Sequence, residues 1–496
     1  MPRVVVTSAF CGLALALACG DTSGPRSGLN VVSGAGVSDT VLSTFKPPLT
    51  VQLLDGNLDP MSGQTVYFNT NGFVLAAPID DPGFVTDRLP VITDASGDAS
   101  VWLEAKQWAA TGKVVIVAPN GQSVDLYYTV LPGAPARVHA DPVDTALYVG
   151  GTVTFRPYIT DAYTNPLKVA PTYQYQSLNS ALTISGPGKA TGAAFGRGAV
   201  AVTALGFTDT VWASVVPKGR VVAQNDHIVV TNLDGSAFDT IPGSYGGGHA
   251  LDWSSVNRTL AFDLDGPEYI VAMDTAGHRR RAVTDLLMRS EYYPRYTLDG
   301  SYMYFTGNDS LTTCYGVWRI HPDGTGLEHV VADTSDCGVY VYETAPSPDH
   351  ASSPSPDGTR LVYVGGQPNS QLNWVLSHTL RVRTLATGAD TSLGVAGDVP
   401  RWSPTGEWIA YDYTGTLMLI HPDGTGQQAL LNRGDNNHPA VSWSPDGQWL
   451  IYFGFNYYGS PDQPTGFFGL KIVNVATGLR LPLPFAGGLT DPTWRP

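Results

Sequence analysis

One phrase returns along the second half of this chain and constrains its fold more than anything else. Trp443-Ser444-Pro445-Asp446-Gly447 is followed by Gln448-Trp449-Leu450-Ile451-Tyr452. This reads as a short strand, a tight Pro-Asp-Gly turn and a second strand with a buried face. Trp402-Ser403-Pro404-Thr405-Gly406 and Pro354-Ser355-Pro356-Asp357-Gly358 repeat it. Alignment on the turn puts Trp253, Tyr296, Pro354, Trp402, Trp443 and Trp494 in one column, at intervals of 43, 58, 48, 41 and 51 residues. Such intervals suit a four-stranded blade plus loops of varying length.

Outer hairpin turns repeat as a second series. They fall at Asn232 to Gly235, Asp274 to Gly277, His321 to Gly326, Ala386 to Gly388, His421 to Gly426 and Ala476 to Gly478. Six inner motifs and six outer turns predict six blades. The first outer turn precedes every inner motif, and the last inner motif, Asp491-Pro492-Thr493-Trp494, ends two residues before the last residue. The last blade is therefore expected to take its inner strand from there and its other strands from 220 to 241, closing the ring. The repeat set resembles TolB-like six-bladed β-propellers built from WD40-like Trp-Ser-Pro-Asp-Gly repeats, over residues 218–496. The repeated aromatic is expected to pack between blades.

The rest of the chain also reads as β structure. Residues are 43% hydrophobic and 14% charged, with 55 Gly and 37 Pro and no long amphipathic helical period. The predicted class is all-β. Residues 29–132 alternate apolar and polar residues between turn clusters, as in Leu49 to Leu53, Gln64 to Phe68, Ala99 to Leu103, Val114 to Val117 and Val124 to Tyr128. That is the pattern of an antiparallel sandwich, and the turn Thr93-Asp94-Ala95-Ser96-Gly97-Asp98 resembles bacterial Ig-like domains of the invasin type. Residues 133–217 begin with the linker Pro132-Gly133-Ala134-Pro135. Their runs Gly150 to Phe155, Tyr173 to Ser177 and Gly198 to Ala204 resemble a second bacterial Ig-like type. Both modules read as spacers.

Arg3 precedes an apolar run from Val4 to Ala18, too short for a membrane span and placed as a signal peptide of residues 1–18. Ala16-Leu17-Ala18-Cys19-Gly20 resembles the lipobox of bacterial lipoproteins, which implies lipid on Cys19. Residues 19–28 then form a flexible tether. The expected location is the outer membrane or cell surface, with the membrane reached through the lipid anchor only. A net charge of −15 argues against nucleic acid as a partner. Cys314 and Cys337, the cysteines left over in an exported chain, are expected to form a disulfide.

In a propeller the inner and outer turns share one face, so the remaining loops share the other. That second face collects Trp374, Phe455, Tyr457, Tyr458 and Phe467, and loops on a rigid scaffold are where recognition usually lives. His249, His350 and His438 precede their column positions in alternate blades and are candidate rim residues, with a divalent metal as a minor alternative. Asp263 to Glu268 resembles a calcium loop only faintly and reads as a hairpin. His278-Arg279-Arg280-Arg281 reads as a solvated basic spot. No Gly-x-Ser-x-Gly, His-Glu-x-x-His or Gly-x-x-x-x-Gly-Lys occurs. The expected function is recognition of an envelope protein or a glycan, without cofactor or catalysis. The alternative is a metal-dependent propeller enzyme similar to oligogalacturonate lyases.

Overall fold

The computed structural model describes residues 26–244, 249–264, 269–282, 288–309, 315–332, 351–368, 375–432, 441–455 and 468–495. Every regular element among them is a strand. The chain divides into two compact units, residues 1–138 with 158–170, and residues 139–157 with 171–496.

In the first unit two sheets enclose one core. The first has the order Gly28–Ser33, Leu49–Leu54, Asp98–Ala105, Val74–Pro78. The second has the order Ser38–Thr40, Ser123–Leu131, Thr111–Val117, Thr65–Thr70, Arg88–Ile92. Alternate residues point inward, so Leu49, Val51, Val66, Phe68, Val101, Leu103, Val114 and Ile116 meet in the core. The buried Tyr128 hydroxyl donates to the Gly34 carbonyl at 2.8 Å, and its ring meets Phe45 edge-on at 5.4 Å. The Thr93 to Asp98 turn is held by the Asp94 carboxylate, which accepts the amides of Ser96 and Asp98 at 2.8 and 3.0 Å. Gly97 has φ 73°, and a Cβ there would sit 2.6 Å from the Leu53 carbonyl, so the turn requires glycine. Residues 158–170 belong here through Asn165, whose side chain accepts the Ala109 amide at 2.8 Å and donates to the Gln107 carbonyl at 2.7 Å.

Among the described residues the second unit contains six four-stranded antiparallel sheets. Their innermost strands are His249–Ser254, Met288–Tyr296, Ser352–Pro354, Asp398–Trp402, Val441–Trp443 and Thr490–Arg495. Each touches the next, and the last touches the first, which is the arrangement of a β-propeller. In the last sheet Arg220–Gln224 lies between Ile228–Asn232 and Thr490–Arg495, with Val221 opposite Trp494 and Val222 opposite Thr493.

Apolar residues fill every junction between neighbouring sheets. Leu251, Leu260 and Phe262 meet Val222 and Val230. Ala261 and Ala272 meet Phe305 and Trp318, and Tyr304 meets Leu361 and Tyr363. Val362 and Leu380 meet Trp402 and Ile409, and Leu417 and Leu419 meet Trp443 and Leu450. At the last junction Trp449, Ile451 and Leu481 meet Val221, Leu233 and Trp494, and this core continues into Ala146 and Val216 of the preceding sheet. That sheet has the order Asp144–Tyr148, Phe207–Val216, Gly196–Ala204, Gln174–Ser177. Phe195 beside it packs edge-on against Trp449 at 5.4 Å, and the Tyr148 hydroxyl donates to the Gly219 carbonyl at 3.4 Å.

His278 and Arg279 of the basic run are exposed, and Arg281 has a partner that was not expected. Arg279–Arg281 is the outermost strand of its sheet, and Arg281 pairs at 2.5 Å with Glu291, whose side chain is 0% exposed. A buried carboxylate needs that counter-charge, so Arg281, one-third exposed, also serves as the partner of Glu291.

Deleting residues 491–496 is expected to lower the melting temperature of the second unit, because it strips a paired strand from one sheet. Trp494→Ala is expected to cost about 3–5 kcal/mol in urea unfolding. An unchanged melt after the deletion would contradict the closure.

Candidate functional site

The repeated turn is a hydrogen-bonded cassette. The Ser444 hydroxyl donates to the Asp446 carboxylate at 2.5 Å and accepts the Trp449 amide at 2.9 Å, while the Gly447 amide donates to the Ser444 carbonyl at 2.9 Å. Ser355, Asp357 and Gly358 repeat these bonds at 2.6, 2.9 and 2.9 Å. Thr297, Asp299 and Gly300 reproduce the network with threonine in place of serine. These glycines sit at φ 68° to 70°, where other side chains are strained. Outer turns dock on the same end. His421 stacks on Trp408 at 3.8 Å with Nδ1 2.9 Å from the Glu407 carbonyl, and His321 stacks on Tyr302 at 4.5 Å.

Just before the repeated column of Trp253, Tyr296, Pro354, Trp402, Trp443 and Trp494 stand Asp252, Arg295, Ser353, Arg401, Ser442 and Thr493, a polar column. On alternate sheets this residue accepts the backbone amide of the next sheet's aromatic. Asp252 Oδ2 takes Tyr296 N at 2.7 Å, Ser353 Oγ takes Trp402 N at 3.0 Å, and Ser442 Oγ takes Trp494 N at 3.0 Å. All six column residues line one cavity of about 290 Å³, walled also by Trp253, Trp402, Trp443 and Trp494 and by the prolines of the turns. It lies on the axis, at the end of the ring where the repeated turns are.

Four of the inner strands also share a bulge. Ala250, Tyr293, Val399 and Asp491, each three residues before its aromatic, have φ of 53°, 56°, 47° and 46°. The ladder shifts register at each of these positions. Bulges of this kind increase local twist and re-aim side chains.

Beyond the cavity a charge cluster, exposed at His249 and buried at Asp263 and Arg295, spans the sheet junction of the closure. His249 Nδ1 is 3.6 Å from Asp491 Oδ2, which also accepts Gln224 Nε2 at 3.1 Å. Burial pushes the Asp491 carboxyl up, but the bonds from His249 and Gln224 outweigh it and hold it below the ordinary range. Asp263 accepts the Tyr293 amide at 3.1 Å, and its Oδ1 has no partner among the described residues. Loss of hydration raises its pKa to about 6, against the pull of that amide, His249 and Arg295. Asp252 is likewise raised by loss of hydration, opposed by Arg295. Arg295 is buried and lowered by the same desolvation, with Asp252 and Asp263 opposing, and its Nη1 donates to the Ala250 carbonyl at 2.8 Å.

Most residues expected to form a ligand face lie outside the described residues: Trp374, Tyr457, Tyr458, Phe467, His350 and His438, together with Cys19, Cys314 and Cys337. Phe455 ends the described strand Trp449–Phe455. His249 begins the strand His249–Ser254 and its Nδ1 lies 3.6 Å from Asp491 Oδ2. Among the described residues no three His, Cys, Asp or Glu side chains gather as metal ligands. Asp263 is buried in the strand Thr259–Asp263. The cavity at the repeat end was not expected. Its signal was the polar column before each aromatic, which strand alternation alone makes look unremarked.

No protein-family model matches the chain, and no curated protein matches it. Among solved structures it is similar to TolB from Acinetobacter baumannii, with 16% identity, 61% of this chain and 80% of that one covered, and a TM-score of 0.43. A putative TolB from Agrobacterium tumefaciens gives 14% identity, coverage of 56% and 99%, and a TM-score of 0.41. An oligogalacturonate lyase in complex with manganese gives 14% identity, coverage of 54% and 74%, and a TM-score of 0.33. The propeller assignment rests on strand order and the ring of contacts rather than on these likenesses.

Asp263 sets a pH dependence. Its folded pKa is raised from 3.8 to about 6, so the folded state holds the proton more tightly and its stability falls as pH rises through that window. Asp263→Asn removes this slope. The variant's stability relative to the parent is expected to improve by up to about 3 kcal/mol between acid and neutral pH. Urea unfolding across the window checks it, and parallel stability curves would refute it.

Proposed function

We propose that this chain is a lipid-anchored envelope protein whose six-bladed, TolB-like propeller, residues 218–496, recognises a protein or glycan without catalysis. Two Ig-like modules, residues 29–132 and 133–217, act as its stalk. Cys19 carries the lipid, the location is the outer membrane or cell surface, and a Cys314–Cys337 disulfide secures the loops of the far face. The observation that carries the reading is the axial cavity. Six strands from six sheets each contribute one polar residue to a concave site on a rigid ring, which is how recognition sites are commonly built. The aromatic loops of the far face extend the contact area.

Capture of envelope extracts by the full chain, with a glycan array in parallel, tests this reading. Specific retention of one partner, lost when the chain is heat-unfolded, is the expected result. Substrate turnover by the purified protein would replace it. The lyase-like alternative needs His249, His350 and His438 together on a metal. Stoichiometric zinc or manganese in untagged protein, with metal-dependent cleavage of an acidic polysaccharide, would establish that alternative.

A further inference from the structure

The column on the axis is built as three couples of neighbouring sheets, and the couples are chemically unequal. In the first, Asp252 accepts the Tyr296 amide and also faces Arg295, so the arginine has its counter-ion within the ring. In the second, Ser353 accepts the Trp402 amide in the same way, but a hydroxyl now stands where the carboxylate stood. Arg401 therefore has no counter-ion among the described residues. It is 8% exposed, its Nε has no hydrogen-bond partner, and no ion pair reaches its guanidinium among the described residues. In the third couple Ser442 and Thr493 are both neutral. A buried unpaired guanidinium is costly, and the arrangement two sheets away shows what would satisfy it.

The surroundings favour an anion further. Ser353 and Ser442 use their oxygens as acceptors, so their hydroxyl hydrogens are left without an acceptor among the described residues. Beside the cavity the Arg495 guanidinium lies over the Trp253 ring at 4.4 Å, with Arg220 and Arg258 near enough for their like charges to act on it. No ion pair neutralises these three among the described residues. Such a positive locality stands against a chain of net charge −15 and focuses attraction for negative ligands. At about 290 Å³ the cavity admits one residue-sized or sugar-sized group.

We propose that the axial cavity binds the carboxylate of a ligand, with Arg401 as its counter-ion and the hydroxyls of Ser353 and Ser442 as further donors. This deepens the recognition reading and rests on it. The ligand carboxylate takes the place that Asp252 holds beside Arg295, and it arrives through an end of the ring already rich in arginine. A carboxylate accepts guanidinium donors in the fork geometry that makes such pairs strong.

Calorimetry on the full chain with N-acetylaspartate amide, its asparagine counterpart and galacturonate tests the proposal. At least one of the two carboxylates is expected to bind, which also separates a peptide source from a sugar source, and the asparagine probe is expected to bind at least about tenfold more weakly than the aspartyl one if the source is a peptide. Arg401→Gln is expected to abolish binding and to leave the ligand-free melting temperature unchanged or raised. Ser353→Asp supplies the missing counter-ion from within, so it is expected to abolish binding while raising the melting temperature. Failure of both carboxylates to bind at tens of millimolar would overturn the proposal, as would binding that survives both substitutions. If the full chain still captures an envelope partner in that case, the recognition reading stands and only the chemistry assigned to this cavity falls.

Discussion

The structure depends on one strand pairing across the sequence. Arg220–Gln224 would be an open edge without Thr490–Arg495, and an open edge exposes a row of unpaired amides and carbonyls to any other chain. The pairing also places Trp494 in the last junction, where it meets Trp449 and Val221, and brings Thr493 into the axial column. Backbone pairing, apolar packing and the cavity are thus completed by the same few residues. The sheet junctions can be filled with Leu, Val, Tyr and Trp because the ring leaves each sheet with a neighbour on both faces.

On the axis the same geometry forces polar groups together. Inner strands converge there, and four of them carry a left-handed residue just before the column. Side chains at this position have little water and must find partners in adjacent sheets. Asp252, Ser353 and Ser442 solve this by holding the neighbour's amide. Arg295 solves it with Asp252 and Asp263. Arg401 has neither solution within the described residues, and this makes the ring asymmetric in charge although it is regular in backbone.

The repeated turn was legible because its chemistry is local: a hydroxyl, a carboxylate two residues on and a glycine at positive φ. Even Thr297-Leu298-Asp299-Gly300 keeps that set, which is why its count as a blade motif agrees with the strands. At Ser254-Ser255-Val256-Asn257 the carboxylate is missing, and the turn instead places Arg258 at φ 53° and lends the Asn257 side chain to the Gly300 carbonyl. The bulges were not legible, since Ala250, Tyr293, Val399 and Asp491 share no residue type. Nor was the partner of Arg281, because Glu291 comes from the next sheet. Three-dimensional neighbours set these features, while spacing in the chain reports only the elements themselves. Trp374, Tyr457, Tyr458, Phe467, His350 and His438 lie outside the described residues.

The junction between Phe207–Val216 and Arg220–Gln224 has a mechanical meaning. Only residues 217–219 separate the two strands, and Ala146, Val216 and Phe195 are packed on the seam of the ring. Tension drawn along the chain from its N-terminal side enters the propeller at the strand that carries the closure. It meets there a ladder of backbone bonds and a shared apolar core rather than a slack connection. A load applied there would meet that ladder and that core together.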